Sequence, residues 1–205
     1  HYPLPNAPLI DDIKSTPVVN WHDHFKIPKN IKIFLMAGGM YEFYQLPELL
    51  SSVEKWPKDT ILLLKGKHGI ENIKRSFNHL HLEGKVIWSD ENLSPEKLHS
   101  LIKYCTASIC LYRDINDNFR YVGKSAGKLM RSIALGNPVI ASKSDSLKFV
   151  TDLGFGKLVS HPNEIAKAVQ FVIDNNDKLK ENCENNYNQI SYETYWRIFE
   201  KELFQ

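Results

Sequence analysis

A chain of 205 residues with 42% hydrophobic and 24% charged side chains is an ordinary globular protein, long enough for one large domain or two small ones. Twenty-six basic side chains against 24 acidic ones leave a net charge of +2, too little for general nucleic-acid binding through bulk electrostatics. No run approaches the ~20 apolar residues of a membrane span. Cys105, Cys110 and Cys183 lack metal-ligand spacing and cannot all pair, so they read as thiols of a reducing compartment, Cys105 and Cys110 as small apolar residues.

The first residue is His1 rather than Met, and no signal peptide is visible. The chain is expected to be a piece of something longer, or a processed product. Residues 1–30 hold five of the ten prolines (Pro3, Pro5, Pro8, Pro17, Pro28) and no sustained periodicity, which predicts an extended linker lying on the domain surface. His22-Asp23-His24 would put two imidazoles on one face of a strand. No further ligands at recognisable spacing accompany them, so they read as surface histidines.

From Ile31 the pattern changes. Ile31 to Ala37 is a mostly apolar run that ends at Gly38-Gly39. Leu46, Leu49, Leu50, Val53 and Trp56 then mark a helical face, and Thr60 to Leu64 a second strand ending in Lys65-Gly66-Lys67-His68-Gly69. Ile70, Ile73, Phe77 and Leu80 predict one helix, and Val86-Ile87-Trp88 a third strand. Ser94-Pro95 is an N-cap with Pro at the first helical position, opening a helix with Leu98, Leu101, Ile102 and Cys105 on one stripe. Ser108 to Tyr112 is the fourth strand.

The stretch from Asp114 to Ser142 organises the rest. A polar loop from Asp114 to Lys124 leads into Gly123-Lys124-Ser125-Ala126-Gly127-Lys128. The helix that follows has Ala126, Leu129, Met130 and Ile133 on one face and stops at Gly136-Asn137-Pro138. Val139-Ile140-Ala141 is then a buried strand. Glycines, Ser125 and two lysines at a helix N-terminus suit an anion, because the first-turn amides are unpaired and the helix dipole favours negative charge. An ordinary N-cap with solvated lysines is the alternative. A short helix near Leu147–Leu153, a strand near Lys157–Val159 and a helix with Ile165, Val169, Val172 and Ile173 follow. The polar segment Asn175 to Asn188 ends that helix or forms a second, and the last helix has Tyr192, Tyr195, Trp196, Phe199 and Leu203 on one face.

Six short apolar strands alternating with amphipathic helices predict an α/β fold, a Rossmann-like, doubly wound parallel sheet of about six strands covered on both faces. Such a sheet binds ligands beyond the carboxyl ends of its strands, near the point where strand order reverses. The turns at Gly38-Gly39, at Gly66 to Gly69 and up to Lys128 all follow strands, so they gather on one edge. That convergence points to a nucleotide or another phosphate ligand. Several motifs fail. A Walker A loop needs glycine where Asn118 stands, and no Gly-x-Gly-x-x-Gly or Gly-x-Ser-x-Gly is present. Asp11-Asp12 and Asp90-Glu91 read as solvated turn residues.

Lys128-Leu129-Met130, then Gly136-Asn137-Pro138-Val139-Ile140-Ala141, resembles the signature helix and strand of retaining glycosyltransferases with two facing Rossmann-like domains, the GT-B fold of family 4 (group 1) type. The order of pieces from Gly38-Gly39 through Cys110-Leu111-Tyr112 matches the C-terminal, donor-binding domain of that family over residues 31–205. On this resemblance residues 1–30, with Tyr2-Pro3, are the interdomain linker, 31–190 the nucleotide-sugar-binding domain, and 191–205 a helix crossing back to the other domain.

The resemblance implies a UDP- or GDP-sugar donor, with its diphosphate on backbone amides near Lys124, Ser125, Ala126 and Gly127 and against Gly38 and Gly39. The base would lie near Trp88 and Tyr112, and Lys128 and Arg131 would flank the donor. No cofactor and no metal is implied. The acceptor, a glycan or lipid-linked saccharide of surface polysaccharide or glycoconjugate synthesis, would be held by a domain preceding His1, so residues 1–205 alone would give no hexosyl transfer. A cytoplasmic location follows, with any membrane association coming through that domain, and no nucleic acid is expected. Catalytic residues are not identified. The sequence departs from the pattern at Gly123 and Arg131, where the family has Glu, and at Phe43 and Tyr44, where it has an Arg/Lys pair. Lys124, Lys128, Arg120 and Arg131 are the candidates to replace that charge. A non-catalytic nucleotide-sugar-binding module and an unrelated flavodoxin-like binding domain are the competing readings.

Overall fold

Strand β1 (Lys32–Ala37) shows how the sheet is built. Phe34 and Met36 enter one core, and Ile33 and Leu35 enter another. β2 (Thr60–Lys65) repeats this, with Leu62 and Leu64 on the first face and Ile61 and Leu63 on the second. Strands buried on both faces read as continuous apolar runs. β3 (Val86–Ser89), β4 (Ala107–Cys110), β5 (Val139–Ser142) and β6 (Gly156–Val159) complete a six-stranded, all-parallel sheet ordered β3-β2-β1-β4-β5-β6. This is the doubly wound α/β sheet expected from the sequence. The computed structural model describes residues 4–14, 16–40, 44–66, 70–115 and 117–204. Tyr2, Pro3, Phe43, Lys67, His68 and Gly69, named above, lie outside the described residues.

The helices, in chain order, are α1 (Ile10–Lys14), α2 (Trp21–Phe25), α3 (Leu46–Val53), α4 (Glu71–Ser76), α5 (Asn78–Leu82), α6 (Pro95–Tyr104), α7 (Asp117–Arg120), α8 (Gly127–Ala134), α9 (Phe149–Asp152), α10 (Ile165–Asp174), α11 (Asn176–Asn186) and α12 (Tyr192–Leu203). α3 and α10 cover the first face through Leu46, Leu49, Leu50, Ile165, Val169 and Val172. α6 covers the second near β1 and β2, and α8 covers it near β4 and β5. The helix read over Ile70–Leu80 is broken at Phe77 into α4 and α5, and the polar segment after Asn175 forms α11. The three thiols are buried and free, and burial pushes the Cys110 thiol up to about 12. No described helix is long and apolar enough to cross a membrane.

The first 30 residues are not simply extended. They carry α1 and α2, and Trp21 is only 1% exposed in the core with Leu101 and Ile102. Its indole Nε1 donates to buried Ser100 Oγ at 3.2 Å, so the polar tip is satisfied where the ring is buried. His22 and His24 sit on a helix rather than a strand and have separate partners. His22 meets the Tyr104 hydroxyl at 2.6 Å and the Ile31 carbonyl at 2.8 Å, and His24 meets Glu91 at 2.9 Å. Among the described residues no cluster suits a metal ion.

Chain order reverses between β1 and β4, which pair directly. Their carboxyl ends therefore border the crevice where such sheets bind ligands. Gly38 ends β1, α3 starts just beyond Tyr44, Tyr112 follows β4, and α8 starts beyond the polar loop.

Candidate functional site

Lys128 sits in the first turn of α8, yet its side chain reaches back across the crevice to β1. A Cβ built on Gly38 would come within 2.6 Å of Lys128 Cε. Gly38 has φ +111°, a conformation that side chains rarely adopt, and that backbone is what requires glycine in this turn. The ammonium lies 3.5 Å from the centre of the Tyr44 ring, a cation–π contact. Burial pulls its pKa below the ordinary lysine value of 10.5, and no acid among the described residues pairs with it. Tyr44 is one of the two positions where the resemblance expects a cation. The charge is present, but it arrives from α8.

The other cations have different surroundings. Arg120 is exposed and bonds Asp114 and Asp117 at 3.1 and 3.2 Å. Lys124 turns away to the last helix, bonding the Tyr195 hydroxyl and lying 4.5 Å from that ring's centre. Arg131 and Lys128 line a small cavity of about 80 Å³ with Gly38, Leu98 and Ile102. Arg131 Nε is buried without a partner, and the guanidinium helps burial hold the nearby His99 below its ordinary pKa. No acid pairs with Arg131 among the described residues.

The open amides lie slightly beyond the expected ones. Ser125 and Ala126 N–H groups already donate to Val122 and Gly123 carbonyls at 2.9 and 3.3 Å. Ala126, the N-cap, offers no side-chain bond. Met130 N–H takes the Ala126 carbonyl at 2.9 Å, so the orphan donors are those of Gly127, Lys128 and Leu129. Ser125 is exposed, and its hydroxyl folds back to Val122. Asn6 crosses this start, donating from its backbone to the Lys124 carbonyl at 2.9 Å and from its side chain to the Ser125 carbonyl at 3.3 Å. The N-terminal segment is thereby tied to the signature loop.

Gly39 continues the β1 turn, partly buried. Trp88 and Tyr112 do not share one pocket. The strand order puts them three spacings apart, about 14 Å. Trp88 packs on the first core, with Lys74 5.9 Å from its centre. Tyr112 is buried against Tyr44, ring centres 5.9 Å apart. Gln45 went unnoticed in the sequence. It is left-handed, at φ +53°, and its side-chain amide donates to the Tyr112 carbonyl at 3.2 Å, bridging the two crevice walls. Non-glycine residues in this conformation cluster at functional sites, but no sequence pattern announces one.

Gly123 explains a departure from the family pattern. It has φ +40°, and a Cβ there would stand 3.3 Å from the Ser146 carbonyl. The β5 loop packs where a side chain would go. Gly123→Glu is expected to destabilise the fold by about 1–3 kcal/mol, the cost of such a strained residue. A urea melt checks this, and an unchanged midpoint would show that the loop yields freely.

No family model matches the sequence, and no curated protein matches it. Solved structures do. HepE from Anabaena, solved with UDP and glucose, superposes with a TM-score of 0.74 at 14% identity over 98% of this chain and 56% of that one. The C-terminal domain of a group 1 family glycosyl transferase, LpcC from Francisella tularensis, gives 0.60 at 16% identity over 85% and 92%. A putative UDP-N-acetylglucosamine 2-epimerase from Listeria monocytogenes gives 0.59 at 14% identity over 84% and 46%. Identities this low establish the fold, not the reaction. The chain spans about half the length of HepE and nearly all of the LpcC domain, and its fold is that of the C-terminal half of the GT-B proteins.

Proposed function

We propose that this chain is the donor-binding half of a glycosyltransferase. It takes a nucleotide-diphospho-sugar, a UDP- or GDP-sugar, and holds the diphosphate between the open amides of Gly127, Lys128 and Leu129 and the Lys128 ammonium. The observation that supports this is Lys128 itself. A desolvated cation without an acid partner is costly until an anion arrives. Here it lies at the switch point, against a glycine turn and beside an uncapped helix. The same groups would stabilise the charge that develops on the departing diphosphate, a preorganised electrostatic role that needs no metal. HepE, solved with UDP and glucose, lends the ligand class. In the whole enzyme a second domain would bring the acceptor, a saccharide or lipid-linked glycan, because transfer requires donor and acceptor in near-attack geometry.

A non-catalytic nucleotide-sugar-binding module is the second reading. One observation favours it: Arg131 and Gly123 stand where the family has acids, and Gly123 has a left-handed backbone with the Ser146 carbonyl close against it. Both readings share the donor pocket. Titration calorimetry with UDP, GDP and UMP in a chelator tests it. The diphosphates should bind, UMP more weakly, and the chelator should change nothing. No binding of either diphosphate to a folded sample would overturn both readings.

A further inference from the structure

A second cleft lies beside the donor crevice. It has a volume of about 840 Å³, within the range of small-molecule sites, and lies beyond the carboxyl ends of β4, β5 and β6. Tyr112 is the wall between the two, since it lines this cleft and also packs on Tyr44. The floor is tied together. Ser146 Oγ donates to the Arg120 carbonyl at 3.0 Å, accepts from Gly123 N–H at 3.2 Å and meets Ser144 Oγ at 3.0 Å. The Ser142 hydroxyl accepts from Tyr112 N–H at 2.8 Å. The two loops that form the walls are thus fixed to each other before any ligand enters.

The lining has a definite chemistry. Lys143 and Lys148 offer donors, Asp145 offers an acceptor, and none of the three has an ion pair among the described residues. Ser144, Ser160 and Thr151 can do both. Tyr121, 69% exposed, presents a flat apolar ring at the edge. Three cations and two acids line it, a small net charge. Arg120 is engaged by Asp114 and Asp117, and Asp145 stands among two exposed lysines, so no converging set of free cations awaits a doubly charged phosphate. Interspersed donors and acceptors beside a ring fit a neutral, polyhydroxylated ligand.

We infer that this cleft binds a neutral saccharide and, resting on the donor reading above, that it holds part of the acceptor on this chain rather than wholly on a second domain. Amide NMR of the chain with glucose, N-acetylglucosamine and glucose 6-phosphate, each with and without UDP, tests it. The neutral sugars should shift Tyr121 and Lys143–Ser146, and Tyr121→Ala should abolish those shifts while UDP binding stays. Response to glucose 6-phosphate alone would overturn the inference in favour of an anion cleft. Saccharide shifts centred on Gly38 and Lys128, or no response to any sugar, would also overturn it. A saccharide response in this cleft from a chain that binds no nucleoside diphosphate would strike the donor reading and leave the saccharide cleft standing.

Discussion

Lys128→Met should weaken nucleoside diphosphate binding by about 10- to 150-fold and leave the fold as stable as before, or more so. The loss is the scale of a charge-assisted hydrogen bond, about 1.5–3 kcal/mol. The stability result follows from burial. The ammonium is partly desolvated with no acid partner among the described residues, so its removal relieves a cost, while Met keeps the apolar stem. A surface lysine would show neither effect. The pH dependence has a definite sign. Burial lowers the folded pKa of Lys128 below the ordinary 10.5, so UDP affinity should fall as pH rises through that lowered value. Over the same window the unfolded chain holds more protons than the apo fold, so apo stability rises with pH and is lost as pH falls through the folded pKa. Lys128→Arg, charged throughout, should flatten the affinity profile. Calorimetry and urea melts across neutral to alkaline pH measure both. Unchanged UDP affinity in Lys128→Met would remove the residue from the site.

Trp21→Ala should cost about 3–5 kcal/mol of stability, the scale of truncating a buried Trp. The ring is 1% exposed, and its N–H is bonded to Ser100 on α6. The substitution leaves a cavity beside Leu101 and strands the buried Ser100 hydroxyl. If residues 1–30 were only a linker draped on the surface, the change would be small. A urea melt decides, and a loss under about 1 kcal/mol would contradict the packing. Trp21→Phe, which keeps most of the ring, separates packing from failure to fold.

The sheet was legible because its signal is local. Runs such as Thr60–Leu64 state their burial without reference to any distant residue, and α8 stops at Gly136-Asn137-Pro138 as read. The crevice followed from strand order, since the Gly- and Lys-rich turns all come after strands. What failed was long-range. Trp21 finds Ser100 79 positions away, and nothing near Trp21 says so. Four cations were candidates in the sequence. A long, flexible lysine side chain decides by where it can reach, so Lys128 goes to Gly38 and Lys124 to Tyr195. Of the expected amides, those of Ser125 and Ala126 are used by the short 3₁₀ turn at Gly123–Ser125, and Gly127 stays open with Lys128 and Leu129. The resemblance put the base near Trp88 and Tyr112, and the strand order sets those two about 14 Å apart.

Where a diphosphate sits on this chain is the most direct test of the donor reading. Amide and lysine-side-chain NMR during a UDP titration, with chelator present, measures it. The largest shifts should fall at Gly38 and at Gly127, Lys128 and Leu129, with the Lys128 Nζ resonance moving and the Lys124 resonance, held by Tyr195, left in place. Shifts centred on Lys124 and the Ser142–Ser146 loop, with Gly38 and Lys128 unmoved, would contradict it.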